Sequence, residues 1–425
     1  MSTSRQYGLI LLGATGYTGK RCAQHITKHL PTNLRWGVAG RSTSKLQNLV
    51  DELKGIHSDR AQPDILAINL QDEELIPLVK KCTVLLNCIG PYHLYSTPIV
   101  KACAENGTHY LDVTGETPWV KELIERYHET ARSNHAILIP EIGIESAPSD
   151  LLAYLVASTL RKALNRSVSE ATCAVYEVKG GGVSGGTLAT ALGLLDHYTF
   201  QEIRASSNPY VLSTQQQQQK QKQQSSQPQS SRSLLSRILG PFTHPDLGIL
   251  TTSITAIPNE AIVYRSASLM PDLYGSDFRY KEYLKVSNQL FGVLIHFGLI
   301  LATLAISLKP VRSLIRRFVY EPGQGPSSES SANAILELRA AATADSSHQY
   351  LNQEAKKATA RIRYQGGGPY DFTGVLLAEG GMVLLQNPDL VNKLGGGILT
   401  PACLGDKYVE RLRGANVQVD AGMLN

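Results

Sequence analysis

Three glycines near the amino terminus stand at a spacing that suits binding of a phosphate group. They follow the apolar run from Tyr7 to Leu12, and a helical pattern begins near Thr18. Such glycines permit a tight turn, close approach of the backbone to a pyrophosphate, and close packing of the next helix, whose first N–H groups can donate. The loop is therefore predicted to bind a dinucleotide through Gly13, Ala14, Thr15, Gly16, Tyr17, Thr18 and Gly19.

The end of the second apolar strand indicates which dinucleotide this is. An NAD-selective site often carries Asp or Glu at this point, where it holds the ribose hydroxyls. Here Arg41 and Ser42 follow Ala39 and Gly40, and no acid is present. An arginine can pair with a 2′-phosphate. We therefore expect NADP(H) to be preferred, with NAD(H) and a mere surface arginine as the alternatives.

Two further loops follow predicted strands, and ligands of doubly wound sheets lie beyond the carboxyl ends of the strands. The first loop is expected to pass the nicotinamide ribose and ring through Asn87, Cys88, Gly90 and Pro91. Near the same crevice we expect the candidate catalytic residues Tyr92, His93 and Glu116. The alternative for Tyr92 and His93 is packing of a loop tip at the domain junction, and the alternative for Glu116 is capping of a helix. No metal site is predicted.

Other polar residues near this crevice have weaker signals. Asp112 and Thr114 close the strand before Glu116, and Ser149 and Asp150 follow the next loop, where capping of a helix competes with substrate contact. Ser184 and Thr187 lie in a glycine-rich turn that suits either a helix cap or an oxygen-rich substrate group.

Composition excludes several classes of protein. The 425 residues include 41 basic and 36 acidic side chains, a net charge of +5, which is too small an excess for a nucleic-acid-binding surface. Six cysteines are spread out without a CxxC pair, so neither a zinc finger nor a disulfide framework is supported. The pattern indicates a reducing, intracellular location and no nucleic-acid partner.

The first 150 residues alternate strand-length apolar runs with helical patterns, which is typical of a parallel sheet covered on both faces. We therefore predict an α/β protein with an N-terminal doubly wound Rossmann domain (1–150) and a second α+β substrate domain. The second domain is expected to span 151–285, with a disordered glutamine-rich insertion at 214–233, and to be completed by an α/β segment at 332–425. The predicted strands of the first domain are Tyr7 to Leu12, Leu34 to Ala39, Asp64 to Ile68, Thr83 to Cys88, His109 to Val113 and Ala136 to Ile139.

One segment, 286–317, has a separate character. Val286 to Leu308 contains no formal charge, and Lys309, Arg312, Arg316 and Arg317 follow it. A helix of this length reaches across about 30 Å of hydrocarbon, and the basic flank suits anionic headgroups. We expect contact with a membrane or lipid surface; a buried helix or a homodimer interface is the alternative.

Several motifs together resemble the saccharopine dehydrogenase-like oxidoreductases, over nearly the whole chain except the glutamine-rich insertion. The branch it looks like contains the trans-acting enoyl reductases of lipid and polyketide assembly. The matching motifs are 13–19, 39–41, 86–92, 110–116, 143–150, 184–187, 263–266, 274–280 and 395–402.

The resemblance implies hydride transfer from NADPH to a hydrophobic acyl, enoyl or polyketide substrate, free or bound to a carrier protein. Eukaryotic members of the branch resemble lipid-droplet or membrane-associated proteins, which agrees with the apolar segment. Two other functions stay open. One is a catalytically silent cofactor-binding protein at a membrane or lipid droplet, and the other, less favoured, is an amino-acid dehydrogenase of the saccharopine type.

Overall fold

The structure is a computed structural model that describes residues 5–180, 185–224, 234–317, 333–345 and 355–424. These residues form two sheets of seven strands each, with helices around them. Glu116 and the other predicted site residues from Gly13 to Pro91 lie within the first range.

The first sheet is parallel and is built by the amino-terminal domain. Its strand order is β13-β6-β5-β4-β1-β2-β3. This is the doubly wound arrangement, in which successive strands are added on one side of β1 up to β3 and on its other side from β4 onwards. Buried apolar side chains fill β1 and β4 almost without interruption, as expected for strands covered on both faces. The strands are β1 (Tyr7–Leu12), β2 (Trp36–Gly40), β3 (Asp64–Ala67), β4 (Cys82–Asn87), β5 (His109–Asp112), β6 (Ile137–Ile139) and β13 (Gly397–Ile398). The predicted Rossmann fold is thus confirmed.

Six helices connect these strands and cover the two faces of the first sheet. The first of them begins at Tyr17, one residue before the start predicted near Thr18. They are α1 (Tyr17–His29), α2 (Thr43–Ile56), α3 (Asp72–Lys81), α4 (Tyr92–Tyr95), α5 (Thr97–Glu105) and α6 (Thr117–Ser133).

The second sheet is mixed, in the order β14-β12-β11-β7-β10-β9-β8. Only β7 and β10 pair in parallel; the other described pairs are antiparallel. Its strands are β7 (Val168–Lys179), β8 (Phe242–His244), β9 (Gly248–Thr252), β10 (Arg279–Lys285), β11 (Ile335–Ala344), β12 (Lys357–Gln365) and β14 (Gln418–Leu424). The helices of this half are α7 (Ala147–Leu164), α8 (Gly185–His197), α9 (Phe200–Ser206), α10 (Gln215–Gln224), α11 (Leu234–Leu239), α12 (Ala256–Leu269), α13 (Pro271–Tyr274), α14 (Gln289–Ser307) and α15 (Lys309–Ile315).

The carboxyl-terminal segment serves both sheets, whereas the sequence analysis assigned all of 332–425 to the substrate domain. Its strand β13 pairs with β6 of the first sheet. Its long helix α16 (Pro369–Gln386) packs on α1 and β4, and glycines allow this close approach: a Cβ on Gly374 would lie 2.8 Å from the Cys22 nitrogen. Helices α17 (Pro388–Leu394) and α18 (Gly405–Gly414) and a short 3-10 turn (Pro401–Leu404) complete the segment.

The glutamine-rich insertion also differs from its prediction. Residues 215–224 form helix α10, because Gln218 donates to the carbonyl oxygens of Val211 (3.3 Å) and Ser213 (3.0 Å) and holds the first turn against the preceding chain. Glutamine is also a good helix former. The rest of that prediction, 225–233, lies outside the described residues.

Helix α14 stands largely in solvent. By length and composition alone, its 19 residues, with a mean hydropathy of 2.2, are long and apolar enough to cross a membrane. Only 6% of this stretch is buried inside the protein. The amino-terminal half of the helix is held by hydrogen bonds to β9. Thr251 donates to the Gly292 carbonyl (2.9 Å), and the Thr252 hydroxyl lies 2.7 Å from His296 Nδ1. The alternative of a buried core helix therefore does not describe its position.

The basic flank of this helix is partly occupied. Arg312 is buried and pairs with Asp196 of α8 through its Nη2 (2.9 Å) and its Nε (3.1 Å), and Arg316 pairs with the same carboxylate. Helix α15 folds back from Leu308, which brings these arginines to α8 rather than leaving all four basic residues outward. Lys309 and Arg317 are exposed.

Candidate functional site

The glycine loop after β1 has the conformation that a pyrophosphate requires. Gly13 has φ +77°, and a Cβ there would lie 2.9 Å from the Cys88 carbonyl carbon. A Cβ on Gly19 would overlap the Gly13 carbonyl oxygen and lie 2.9 Å from the Ala14 Cα. Gly16 is the N-cap of α1, so the amino-terminal end of this helix, where the helix dipole favours an anion, directly follows the loop. The loop therefore fits a dinucleotide phosphate.

Arg41 and Ser42 lie beside this loop, at the carboxyl end of β2. The Gly13 N–H donates to the Ala39 carbonyl at 2.9 Å, which joins the loop to that strand. Ser42 caps α2, its hydroxyl accepting from the Lys45 N–H at 3.4 Å. The Arg41 side chain is exposed, where it can reach a 2′-phosphate.

The loop after β4 is held in place by Asn87. The Asn87 amide donates to Ser96 (2.8 Å) and Tyr110 (3.0 Å), and its carbonyl oxygen accepts from the Ile89 N–H at 3.0 Å. The Cys88 N–H donates to the Leu12 carbonyl at 2.9 Å, so the predicted cofactor residues 87–91 adjoin the glycine loop. The Gly90–Pro91 peptide bond is cis.

The three predicted catalytic residues lie together. Glu116 is buried and accepts hydrogen bonds from the backbone N–H groups of Tyr92 (2.8 Å) and His93 (2.7 Å). The same carboxylate lies 2.7 Å from His93 Nδ1. Glu116 thus caps the short helix α4 and orients the His93 ring at once.

The other nitrogen of His93 faces α8 without a hydrogen-bond partner among the described residues. This Nε2 atom is buried, and the side chain is 1% exposed. The ring packs against α8 at Gly193, where an added Cβ would lie at ordinary contact distance, 3.6 Å, from Nε2. The ring of His197 packs 4.9 Å away, centroid to centroid. Since the Glu116 contact fixes Nδ1, Nε2 is the atom of this pair that is available for proton transfer.

Tyr92 is less suited to proton transfer. Its hydroxyl donates to the Asn87 carbonyl at 3.4 Å, and its ring packs against Trp119 at 5.8 Å. Burial raises the pKa of Tyr92 well above its ordinary value, and the nearby acids Asp112 and Glu116 raise it further. The geometry therefore gives Tyr92 a packing role beside the His93–Glu116 pair.

Two buried acids lie behind this pair. Asp112 accepts from the Tyr110 hydroxyl (2.7 Å) and from the N–H groups of Thr114 (3.0 Å) and Glu141 (3.1 Å), so it joins the loops after β5 and β6. Burial raises the pKa of Asp112 to about 7. Glu141 has φ +60°, and neither of its buried carboxyl oxygens has a hydrogen-bond partner in the described chain. Burial and neighbouring acids raise its pKa, which favours the protonated form.

Ser149 and Asp150 neither cap their own helix nor stand open to substrate. The Ser149 hydroxyl donates to Glu282 Oε2 at 2.6 Å, and Asp150 accepts from the Ser266 hydroxyl (2.5 Å) and the Ala402 N–H (2.8 Å). Both residues tie α7 to the second half of the chain. Of the predicted glycine-rich turn, Ser184 lies outside the described residues, and Thr187 lies in α8.

Glu282 is a buried polar residue at this junction that the sequence analysis missed. Its carboxylate accepts from the Thr255 hydroxyl (2.6 Å) and the Asn259 amide (2.9 Å) as well as from Ser149. Burial raises its pKa, while these donors oppose the shift. An acid within a strand of mostly polar residues carries little signal, although its alternation between Tyr280 and Leu284 places it on the inner face.

Comparisons with known proteins agree with this geometry. Residues 9–139 match the family model of the saccharopine dehydrogenase NADP-binding domain. A Mycobacterium tuberculosis protein assigned as a trans-acting enoyl reductase is 30% identical over 437 residues, covering 100% of this chain and 99% of that protein. The trans-acting enoyl reductase of Mycobacterium ulcerans is 29% identical over 436 residues, covering 100% of both chains.

A solved structure shows the same fold. Saccharopine dehydrogenase (L-Glu forming) from Saccharomyces cerevisiae superposes with a TM-score of 0.52 at 12% identity, over 99% of this chain and 100% of that one. At this identity the likeness concerns the fold alone. The matched NADP-binding domain and the full-length relatives establish an NADP(H)-binding oxidoreductase. The chain belongs to the family of the trans-acting enoyl reductases, built on the saccharopine dehydrogenase fold.

Proposed function

We propose that the protein reduces the carbon–carbon double bond of a hydrophobic enoyl thioester, on an acyl or polyketide chain. The observation that carries this proposal is the buried His93–Glu116 pair, next to a loop shaped for a dinucleotide. Within the described ranges, its Nε2 has no hydrogen-bond partner. The full-length relatives named as enoyl reductases supply the substrate class.

The chain's own residues have separable tasks in this reaction. The glycine loop and α1 hold the pyrophosphate, and Arg41 selects the 2′-phosphate. The chemistry that NADPH would supply when bound there is a hydride for the β-carbon of the enoyl group. The π electrons then move to the α-carbon and thioester oxygen. Protonated His93 donates its Nε2 proton to the α-carbon, and solvent restores that proton.

Glu116 acts through His93. Its carboxylate lies 2.7 Å from Nδ1, so the ring keeps one orientation and Nε2 is the nitrogen left for proton transfer. The burial of the pair strengthens this interaction because little water competes for it. Glu116 is therefore a positioning residue, and His93 is the proton donor.

The test is a kinetic comparison of two histidine variants. His93→Gln should lower kcat by about a hundredfold or more, the usual contribution of a positioned acid, while leaving the Kd for NADPH unchanged. His197→Gln is the matched control, since His197 is a neighbouring, exposed imidazole for which no contact with Glu116 is found in the described chain. Equal kcat values for His93→Gln and wild type would reject His93 as the proton donor.

We also infer that α14 contacts an intracellular membrane or lipid droplet. Nineteen residues at about 1.5 Å each nearly match the ~30 Å hydrocarbon thickness. Leu290 is 73% exposed and Leu301 66%, which is unusual for apolar side chains of one helix. A lipid surface near the active site also suits a hydrophobic substrate. Pairing of α14 with a second copy, in a homodimer, is the alternative.

A further inference from the structure

A cavity of about 970 Å³ lies against the outer face of the second sheet. Its floor includes Thr172 of β7, Lys281 of β10 and Ala341 of β11. These three residues form one row, because Thr172 is in register with both Lys281 and Ala341. Binding pockets for small molecules commonly measure about 300–1,000 Å³, so this cavity is large enough for an extended organic chain.

One end of the cavity meets the exposed apolar helix. Val293 of α14 and Pro241 line this end. The two segments are packed closely, since a Cβ on Gly292 would lie 2.9 Å from Pro241. Thr251 and Thr252 fix the helix at this point through hydrogen bonds to Gly292 and His296. An apolar molecule arriving along α14 would therefore reach the cavity first at Val293.

The other end reaches the junction with the amino-terminal domain. Ser253 and Glu282 line it. The Glu282 side chain points to the inner face of the sheet. It still borders the cavity, because β9 pairs with β10 only from Tyr283 to Lys285 and leaves the edge of β10 open at Glu282. Its carboxylate bonds Ser149, at the start of α7. Glu145 lies four residues before Ser149 and packs on the backbone next to Glu116, since a Cβ on Gly115 would overlap its carboxylate. This loop links the Glu282 end of the cavity to the proposed catalytic pair.

Seven charged side chains line the cavity, four acidic and three basic; four of them form two ion pairs, and the other three are Glu170, Arg237 and Glu282. Lys281 lies 2.7 Å from Glu260, and Lys357 lies 2.8 Å from Asp246. Each pair is itself neutral, so it adds no net attraction for an anion. Phe242 and Tyr283 add aromatic surface, with ring centroids 4.8 Å apart. The lining therefore suits an uncharged chain with a polar end better than a phosphate-bearing ligand.

We propose that this cavity holds the acyl chain of the substrate, with the thioester end towards Glu282 and the far end beneath α14. The proposal rests on the proposed enoyl reductase function and adds where the chain binds. It assigns the cavity a role in selecting chain length, because each further methylene buried there adds to binding. Short substrates would not reach Val293.

Two tryptophan variants of α14 test this assignment. Val293→Trp fills the α14 end of the cavity, whereas Leu294→Trp, at a 62% exposed position next to it, adds the same bulk outside. The substrates are uncharged N-acetylcysteamine thioesters with four-, eight- and sixteen-carbon trans-2-enoyl chains. We expect Val293→Trp to raise KM for the sixteen-carbon substrate by about tenfold, the effect of two lost methylene contacts, and to leave the four-carbon value unchanged. Leu294→Trp should match the wild type.

A binding measurement keeps this test separate from turnover. The fluorescent cis-parinaroyl thioester of N-acetylcysteamine should bind the wild type and Leu294→Trp alike and bind Val293→Trp about tenfold more weakly. Equal binding and equal KM values for both variants would overturn the cavity assignment, even if the four-carbon substrate is reduced. Failure of the wild type to reduce any thioester, with weaker probe binding by Val293→Trp, would instead reject the enoyl reductase function and keep the cavity.

Discussion

Glu116 and His93 form a buried contact of 2.7 Å between a carboxylate oxygen and Nδ1, at the edge where the first sheet presents its loops. The same carboxylate accepts the backbone N–H groups of Tyr92 and His93. One acid thus fixes both the helix that carries the histidine and the orientation of its ring. This relationship gives the proposed reaction its proton donor and leads to the first prediction.

Replacing Glu116 by Gln should weaken the orientation of the His93 ring while retaining a side chain of the same size. We expect kcat to fall by about a hundredfold. The KM for the enoyl thioester and the Kd for NADPH should change little, because Glu116 acts through the position of His93 and not on either ligand. A kcat equal to that of the wild type, or a loss of NADPH binding as large as the loss of kcat, would contradict this positioning role.

Gly19→Ala should disrupt the dinucleotide loop. The added methyl group would overlap the Gly13 carbonyl oxygen, so either the loop or α1 must move. We expect the Kd for NADPH, measured by calorimetry, to rise at least tenfold. Gly55→Ala is the matched control, because a Cβ at this exposed helical position meets nothing within 4 Å. Comparable losses in the two variants would contradict the assigned role of the loop.

Arg41→Asp should change cofactor preference. The exposed guanidinium at the end of β2 is expected to pair with the 2′-phosphate, and an acid there would repel it. The Kd for NADPH should rise by an order of magnitude or more, with little effect on NADH. Arg35→Asp, a change of the same charge at an exposed position at the other end of β2, should leave both values unaltered. Equal losses for NADPH and NADH in Arg41→Asp would refute the 2′-phosphate role.

Asp112 should make stability depend on pH. Its pKa is raised to about 7 in the folded protein, from 3.8, so the folded state binds the proton more tightly than the unfolded chain does. As the pH rises from about 4 to about 7, the unfolding free energy of the wild type should therefore fall. The contribution of this group to that fall is at most about 4 kcal/mol. Asp112→Asn removes that dependence. Urea unfolding of both proteins across this range measures the difference, and parallel pH curves would contradict it.

Helix α14 should determine membrane association. Leu294→Asp together with Leu301→Asp places two charges on its exposed apolar surface, where Leu294 is 62% and Leu301 66% exposed. We expect the variant to remain in the bottom fraction when liposomes float, while the wild type rises with them. Ser313→Asp, at an exposed position on α15, is the control. A wild type that stays unbound and dimeric would favour a homodimer interface.

Local sequence patterns predicted the first domain well. The glycine spacing, the apolar runs and the turn residues are all short-range signals, and they located β1, α1 and the loops after β4 and β5. Tyr92, His93 and Glu116 were also named from the sequence, because parallel strands bring their carboxyl-terminal loops to one edge. Their hydrogen bonds required the fold, since Glu116 and His93 are 23 residues apart.

Long-range pairings account for what the sequence analysis missed. Strand β13 has only two residues and pairs with β6, far back in the chain, so no periodicity marked it. Ser149 looked like a helix cap, but its partner Glu282 lies 133 residues away. Arg312 was predicted to belong to a basic flank that faces lipid headgroups, but in the structure it pairs with Asp196. Such partners are set by tertiary packing, which single-sequence patterns do not report.

The central claim is tested most directly by following one isotope. Purified protein is incubated with NADPH carrying deuterium at C4, in separate pro-R and pro-S samples, and with an eight-carbon trans-2-enoyl thioester. Mass spectrometry then reads the saturated product. The proposed reaction gives one deuterium at the β-carbon from one of the two labels only, and His93→Gln should incorporate it at least about a hundredfold more slowly. A protein that binds NADPH yet transfers deuterium to no enoyl thioester, free or carrier-bound, would contradict it.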